Sequence, residues 1–348
     1  MTSPKWVVLQ ITEKCNLKCK MCYEWGDTGS YYDKKSLSML DKTVIEEIFK
    51  DLLCHDVYYE LFGGEPLLHP EFSEILKLIK KYKCRVDIPT NGTLLKKYAS
   101  EIIEAGIERI WVSIDGPEAI NDEQRGQGVY KRAIEGIKEL QKVRDEKRGA
   151  KTQIGVTFVV TPLNYKYLKS FIIEEVYPMN VDYISIEFQL FITTVSYASY
   201  QNFLKENFGI CNTTYPKGLI RDIDVFENIN VEYLVQQMNC IKDQLKNSST
   251  KLIGYPKYID EENINNFYQA KWELMKEKKK ECSMPWIYME VSANGDVTPC
   301  HTFYDICMGN VYNNRIMDIW LSDNYCNFRK KMRHQITPIC YACSRYYS

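Results

Sequence analysis

Along the first 190 positions, short β-branched and aromatic runs alternate with stretches whose apolar residues recur every three or four positions. A period of two favours strands and a period near 3.6 favours helices, so each pair reads as one strand–helix unit. Trp6-Val-Val-Leu-Gln-Ile11 predicts a strand, followed by a polar loop and a helix near 36–51 with Leu37, Leu40, Val44 and Ile48 on one face. A strand at 57–62 leads through Gly63-Gly64-Glu65-Pro66 to a helix carrying Phe72, Ile75, Leu76 and Ile79. Strands at 85–89, 109–114, 153–160 and 183–190 come next, with helices near 96–105, 130–146 and 166–175 between them. Six such strands imply a parallel sheet with right-handed crossovers. Six rather than eight point to a partial (β/α)6 barrel, α/β in class and open on one side. Active sites of such barrels lie where strands end and βα loops begin. The polar segments 15–22, 63–66, 90–93 and 113–116 all fall at those ends.

The pattern loosens from 192 to 281, where Glu262–Glu281 looks helical and Lys276-Glu-Lys-Lys-Lys280 suits a solvated helix end. This stretch reads as a partly helical insertion, either a lid over the barrel mouth or a bridge to the C-terminal segment. In 282–348, Ile287–Val291 and Asp296–Pro299 flank Asn294-Gly295, the signature of a β-hairpin. Short helices at Ile316–Leu321 and Asp323–His334 precede Cys340-Tyr-Ala-Cys343. The chain therefore divides into a core (1–191), the insertion (192–281) and a small hairpin-plus-helix module (282–348).

Composition changes this picture little. A net charge of −1 gives no general attraction to nucleic acid or anionic membrane, and no apolar run could span a bilayer. Thirteen cysteines behind an N-terminus without a signal peptide favour a cytoplasmic protein whose thiols stay reduced and bind metal.

The chemistry starts at Cys15, Cys19 and Cys22, spaced Cys-x3-Cys-x2-Cys in one short loop. A [4Fe–4S] cluster normally takes four cysteine ligands, so three leave one iron open to a chelating small molecule. A structural zinc loop would need a fourth ligand. None of His55, His69, His301 and His334 is spaced to complete it.

With Gly63-Gly64-Glu65-Pro66, Thr90-Asn91-Gly92-Thr93, Ser113-Ile-Asp115-Gly-Pro117 and Arg125-Gly126, this loop resembles the radical S-adenosylmethionine (SAM) enzymes over residues 5–190. The resemblance implies a [4Fe–4S] cluster on Cys15, Cys19 and Cys22 whose open iron binds SAM. Met21 and Tyr23 flank the third cysteine where that family often has an aromatic residue before it. Gly63, Gly64 and Glu65 would lie at the SAM ammonium, with Glu65 structural or accessory. Ser113 and Arg125 would hold the SAM carboxylate, and Asp115 or Asn91 would lie near the ribose. Ser113 and Asp115, two apart on one strand, should share a face. Glu187 and Gln189 are candidates to face the barrel interior.

Cys282, Gly295, Cys300, Cys340 and Cys343 resemble the SPASM/Twitch extension of part of that family, in its shorter Twitch form with one auxiliary [4Fe–4S] cluster. A zinc ribbon would use the same four thiols. Cys307 and Cys326 are candidate replacements, whereas Cys54, Cys84, Cys211 and Cys240 suit packing. The spacing resembles a radical SAM aminocyclitol dehydrogenase most. The implied reaction is reductive cleavage of SAM to a 5′-deoxyadenosyl radical, hydrogen abstraction and net oxidation of a sugar, cyclitol or nucleoside. A flavodoxin- or ferredoxin-type partner would donate the electron. A first strand beginning at Trp6, with no leader-binding domain ahead of it, tilts the reading from a ribosomal peptide toward a small metabolite. Cross-linking, epimerisation or oxidation of a peptide is the alternative, and a non-catalytic zinc or iron–sulfur scaffold a remote third.

Overall fold

A computed structural model describes residues 3–276, 282–333 and 337–343. One ten-stranded sheet organises them. Its core is β1 (Trp6–Thr12), β2 (Tyr58–Gly63), β3 (Arg85–Thr90), β4 (Arg109–Ser113), β5 (Gln153–Val160) and β6 (Tyr183–Phe188). These six pair in sequence order and in parallel, the partial barrel that the periodicity predicts. The crossover helices include α1 (Lys42–Asp51), α2 (Phe72–Tyr82), α3 (Leu95–Ala105), α4 (Glu118–Arg125) and α5 (Val129–Glu146). Helix α1 starts later than its pattern suggested. Residues before it run along the end of β1 instead, where Leu40 N donates to Ile11 O and Thr12 bridges Met39.

Alternation sorts each strand's side chains into two faces. On β4, Ile110 and Val112 are fully buried, while Arg109, Trp111 and Ser113 on the other face are half-buried. That second face lines the barrel interior. Trp111 lies across Gly155 of β5, where an added Cβ would meet the indole at 2.4 Å. The Trp111 indole N–H donates to Asp87 (3.1 Å), which also accepts from Tyr58 and pairs with Arg109. This polar group closes the barrel floor and leaves the strand ends as the open mouth.

Two additions extend the core. On the β6 side, β7 (Lys251–Tyr255) adds a seventh parallel strand from within residues 192–281. Helices α6 (Leu168–Ser170, continued by a wide turn to Val176), α7 (Thr194–Phe208), α8 (Val231–Leu245) and α9 (Glu261–Tyr268) complete this side, with α8 packed on β7, α6 and α9. The sequence hid β7 because an edge strand with exposed side chains carries no clean alternation. The helix read over Glu262–Glu281 ends at Tyr268, and 277–281 lie outside the described residues.

On the β1 side, β8 (Tyr288–Val291) pairs with β1 in parallel and turns at Asn294-Gly295 into β9 (Asp296–Thr298), the predicted hairpin, which β10 (Gly309–Asn310) then joins. Helices α10 (Met284–Ile287), α11 (Ile316–Leu321), α12 (Asp323–Met332) and α13 (Pro338–Tyr341) complete this module. It is therefore continuous with the barrel's sheet. Replacing Gly155 by Ala is expected to destabilise the fold by about 1–3 kcal/mol through overpacking against Trp111. Thermal denaturation checks this, and an unchanged midpoint would place the indole elsewhere.

Candidate active site

The loop after β1 holds Cys15, Cys19 and Cys22 around Leu17, Met21 and Val129. Two of the thiols accept backbone N–H bonds, Cys15 from Leu17 (3.4 Å) and Cys22 from Trp25 (3.3 Å). Burial pushes Cys15 up to about 12 and Cys22 up to about 11, and raises Cys19 as well. As bare thiols these groups are neutral; a cation replaces their protons on binding.

The glycine turn is seated on this loop. A Cβ on Gly64 would meet the Lys14 carbonyl at 2.4 Å, and one on Gly63 (φ +145°) would meet that of Thr12 at 2.1 Å. Only glycine allows so close an approach. Glu65 N donates to Lys14 O (2.8 Å), and its fully buried carboxylate accepts from Leu67 N, Thr90 Oγ1 and Asn91 N (3.1, 2.8 and 2.7 Å). Burial outweighs those donors and lifts Glu65 to about 7. Glu65 is thus a brace between two βα loops. Asn91 joins a hydrogen-bond ring with Asn16 and Thr93 that fixes the start of the cysteine loop.

Asp115, expected near a ribose on the face of Ser113, is fully buried past the end of β4. Its oxygens accept from Gln124 Nε2 (2.6 Å), Arg125 Nε (2.6 Å) and Val159 N (2.8 Å). The carboxylate is engaged by protein groups and positions Arg125. Arg125 in turn lies at Cys19, whose thiolate its charge favours. Ser113 ends β4 half-buried on the interior face. Glu187 lies on the interior face of β6 beside Val159 of β5, while Gln189 is buried beyond the strand.

Cys282, Cys300, Cys340 and Cys343 line one small pocket with Met284, Pro285, Phe303, Phe328 and Met332. Burial pushes Cys340 up to about 12. The two candidate substitutes stay apart. Cys307 is exposed and bonded to Asp296 and Gly309, and Cys326 contacts Leu321 O.

Sequence reasoning missed the contact between the two cysteine groups. Tyr23 follows Cys22, His301 follows Cys300, and Tyr23 Oη lies 3.0 Å from His301 Nε2. His301 Nδ1 lies 3.1 Å from fully buried Glu290 of β8, which also accepts from Tyr288 Oη (2.6 Å). An ionised carboxylate can only accept, so with Glu290 ionised His301 carries its proton on Nδ1 and accepts from Tyr23. Tyr215 packs edge-on to Tyr23 and His301 and stacks on Tyr304 at 4.1 Å. Glu24 is buried among Gln10, Tyr215 and Glu290 and is lifted to about 8, chiefly by burial. The one available signal was adjacency, since each partner directly follows a cysteine ligand candidate.

Residues 9–165 match the family model of the radical SAM superfamily, and residues 282–344 match that of SPASM, an iron–sulfur cluster-binding domain. The chain thus carries a radical SAM domain followed by a C-terminal SPASM iron–sulfur cluster-binding domain. Among curated relatives, the tungsten-containing aldehyde ferredoxin oxidoreductase cofactor-modifying protein of Pyrococcus furiosus is 27% identical over 363 aligned positions. The match covers 98% of this chain and 87% of that protein. A probable GTP 3′,8-cyclase of Methanococcus maripaludis is 32% identical, over 46% of this chain and under half (48%) of that enzyme. Among solved structures, Streptococcus suis SuiB bound to SAM superposes with a TM-score of 0.64 at 18% identity, over 99% of this chain and 72% of that one. The anSMEcpe structure with bound SAM gives 0.63 at 16% identity, over 96% and 85%. These identities show a shared fold.

The residues present fit the family's groups. Three thiols in one loop, two of them taking N–H···S bonds, suit a cluster with one free iron. Four thiols in an apolar pocket suit a fully ligated one. Glu65 makes stability depend on pH. Its folded pKa near 7 exceeds the ordinary carboxylate value, so it adds stability below that ordinary value and loses it as pH rises to about 7. The metal-free protein should lose stability over that window in chemical denaturation, and Glu65→Gln should flatten that part of the slope. An unaltered slope would mean that Glu65 does not carry it.

Proposed function

We propose that the enzyme removes a hydrogen atom from a C–H bond of a small polar molecule and completes a net oxidation. Cys15, Cys19 and Cys22 would hold a [4Fe–4S] cluster, which when bound would supply the electron for reductive cleavage of SAM, the source of the hydrogen-abstracting 5′-deoxyadenosyl radical. Arg125, oriented by Asp115, and Ser113 are the groups suited to the SAM carboxylate. Cys282, Cys300, Cys340 and Cys343 would hold the second cluster, in a pocket whose other lining side chains are apolar. An external flavodoxin- or ferredoxin-type donor would reduce the first.

The Tyr23–His301 hydrogen bond carries this reading. It joins the residues that directly follow Cys22 and Cys300, which supports a link between the two cysteine groups of the kind an oxidation needs between its hydrogen acceptor and its electron acceptor. A full-length relative named for modifying a cofactor supports a small molecule. SuiB and anSMEcpe are also seen with peptides, at identities that speak for fold alone. Among the described residues no helix is long and apolar enough to cross a membrane.

The protein reconstituted anaerobically should release 5′-deoxyadenosine from SAM under dithionite. Replacing Cys15, Cys19 and Cys22 by Ala should abolish this while keeping about half the iron, if two four-iron clusters are present. Zinc in place of iron would sink the proposal. Cys307→Ala and Cys326→Ala should keep the full iron content. A loss of iron in either would put that thiol among the ligands.

A further inference from the structure

The chain from Thr213 to Arg221 forms a strap across the barrel mouth. One end continues the line of β6, with Ile192 N donating to Leu219 O (2.9 Å) and Arg221 N to Ile192 O (3.0 Å). Its middle presses on the cysteine loop. Gly218 sits so close to the Tyr23 carbonyl that a Cβ would meet it at 1.9 Å, and Ser30 Oγ donates to Tyr215 O (2.7 Å). Arg221 is thereby held between the end of β6 and Cys22, within reach of that thiol's charge.

Its hydrogen bonding is lopsided. Nη1 donates to the carbonyls of Gly218 (2.9 Å) and Ile220 (2.7 Å), both neutral acceptors. Arg85, Arg109, Arg125, Arg144 and Arg315 each pair with a carboxylate. Among the described residues Arg221 has no such partner. Burial lowers its pKa, yet a guanidinium stays protonated in proteins. A half-buried cation without a carboxylate partner favours an anionic ligand that supplies one. The carbonyls pin Nη1 and leave Nε and Nη2, the edge that forks onto a carboxylate or phosphate.

We propose that Arg221 is the anion-binding residue of the substrate subsite, its Nε–Nη2 edge receiving a carboxylate or phosphate group of the small-molecule substrate. This deepens the small-molecule reading and rests on it. The carboxylate of SAM is the competing anion, for which Arg125 at Cys19 is already placed.

The test uses the reconstituted holoenzyme with SAM bound, and inorganic phosphate and succinate as probes titrated by calorimetry. Saturable binding of at least one probe to the wild type is expected. Phosphate alone points to a phosphorylated substrate, succinate alone to a carboxylate. Arg221→Gln should weaken that binding about tenfold or more, the worth of a charge-assisted fork, and by more than any change in SAM affinity. Arg221→Lys, which keeps the charge but not the fork, should fall between, and it carries the test if the glutamine variant loses its iron. No saturable binding to the wild type, equal binding by wild type and variants, or a loss confined to SAM affinity would each overturn the assignment. Probe binding needs no turnover, so an enzyme that binds phosphate but releases no 5′-deoxyadenosine contradicts the proposed function and leaves the anion subsite standing.

Discussion

The hydrogen bond between Tyr23 and His301 joins residues 278 positions apart in sequence, and each directly follows a cysteine of a different metal-site candidate. The bond sits in a buried network that the rest of the mouth depends on. Gln10 of β1 donates to Glu24 and accepts from Tyr304, Glu290 of β8 faces His301, and Tyr215 of the strap packs between the rings. In a low-dielectric interior each member's partner is costly to lose, so such networks hold as units. The cysteine loop, the first strand, the strap and the C-terminal module are fixed relative to one another by these contacts more than by any single interface.

The sheet makes that convergence possible. Because β8 runs parallel to β1, its C-terminal end and the Asn294-Gly295 turn open on the same edge as the barrel strands, and β9 runs back along β8 before the chain reaches Cys300 and His301. Helix α7 secures the module from the other side, with Phe203 and Phe208 packed on Phe303 and Phe328 and Tyr200 bonded to Asp305. Residues 192–281 thus touch the module through α7 and the cysteine loop through the strap.

What the sequence made legible was local. The six strands come from period-two runs, and the thiol loop and glycine turn from spacing that only particular residues satisfy. Roles set by contacts across the fold were hidden. The family resemblance put Asp115 near a ribose, and the contacts that Arg125 and Gln124, brought in by the next helix, make to its oxygens could not be read from the sequence. Strand β7 lacked an alternating pattern because its side chains at the sheet edge are largely exposed. His301 was one of four histidines unable to complete a zinc loop, and nothing in its neighbours announced Tyr23.

The central claim is that the two proposed iron–sulfur sites are joined through the Tyr23–His301 hydrogen bond. Electron paramagnetic resonance of the fully reduced protein tests it most directly. The references are variants that lose one site each, Cys15/Cys19/Cys22→Ala and Cys340/Cys343→Ala. Two sites joined through Tyr23 and His301 should give broadened, faster-relaxing signals that the two single-site spectra do not reproduce when added. A spectrum equal to their simple sum, or one with a single cluster signal, would contradict the account.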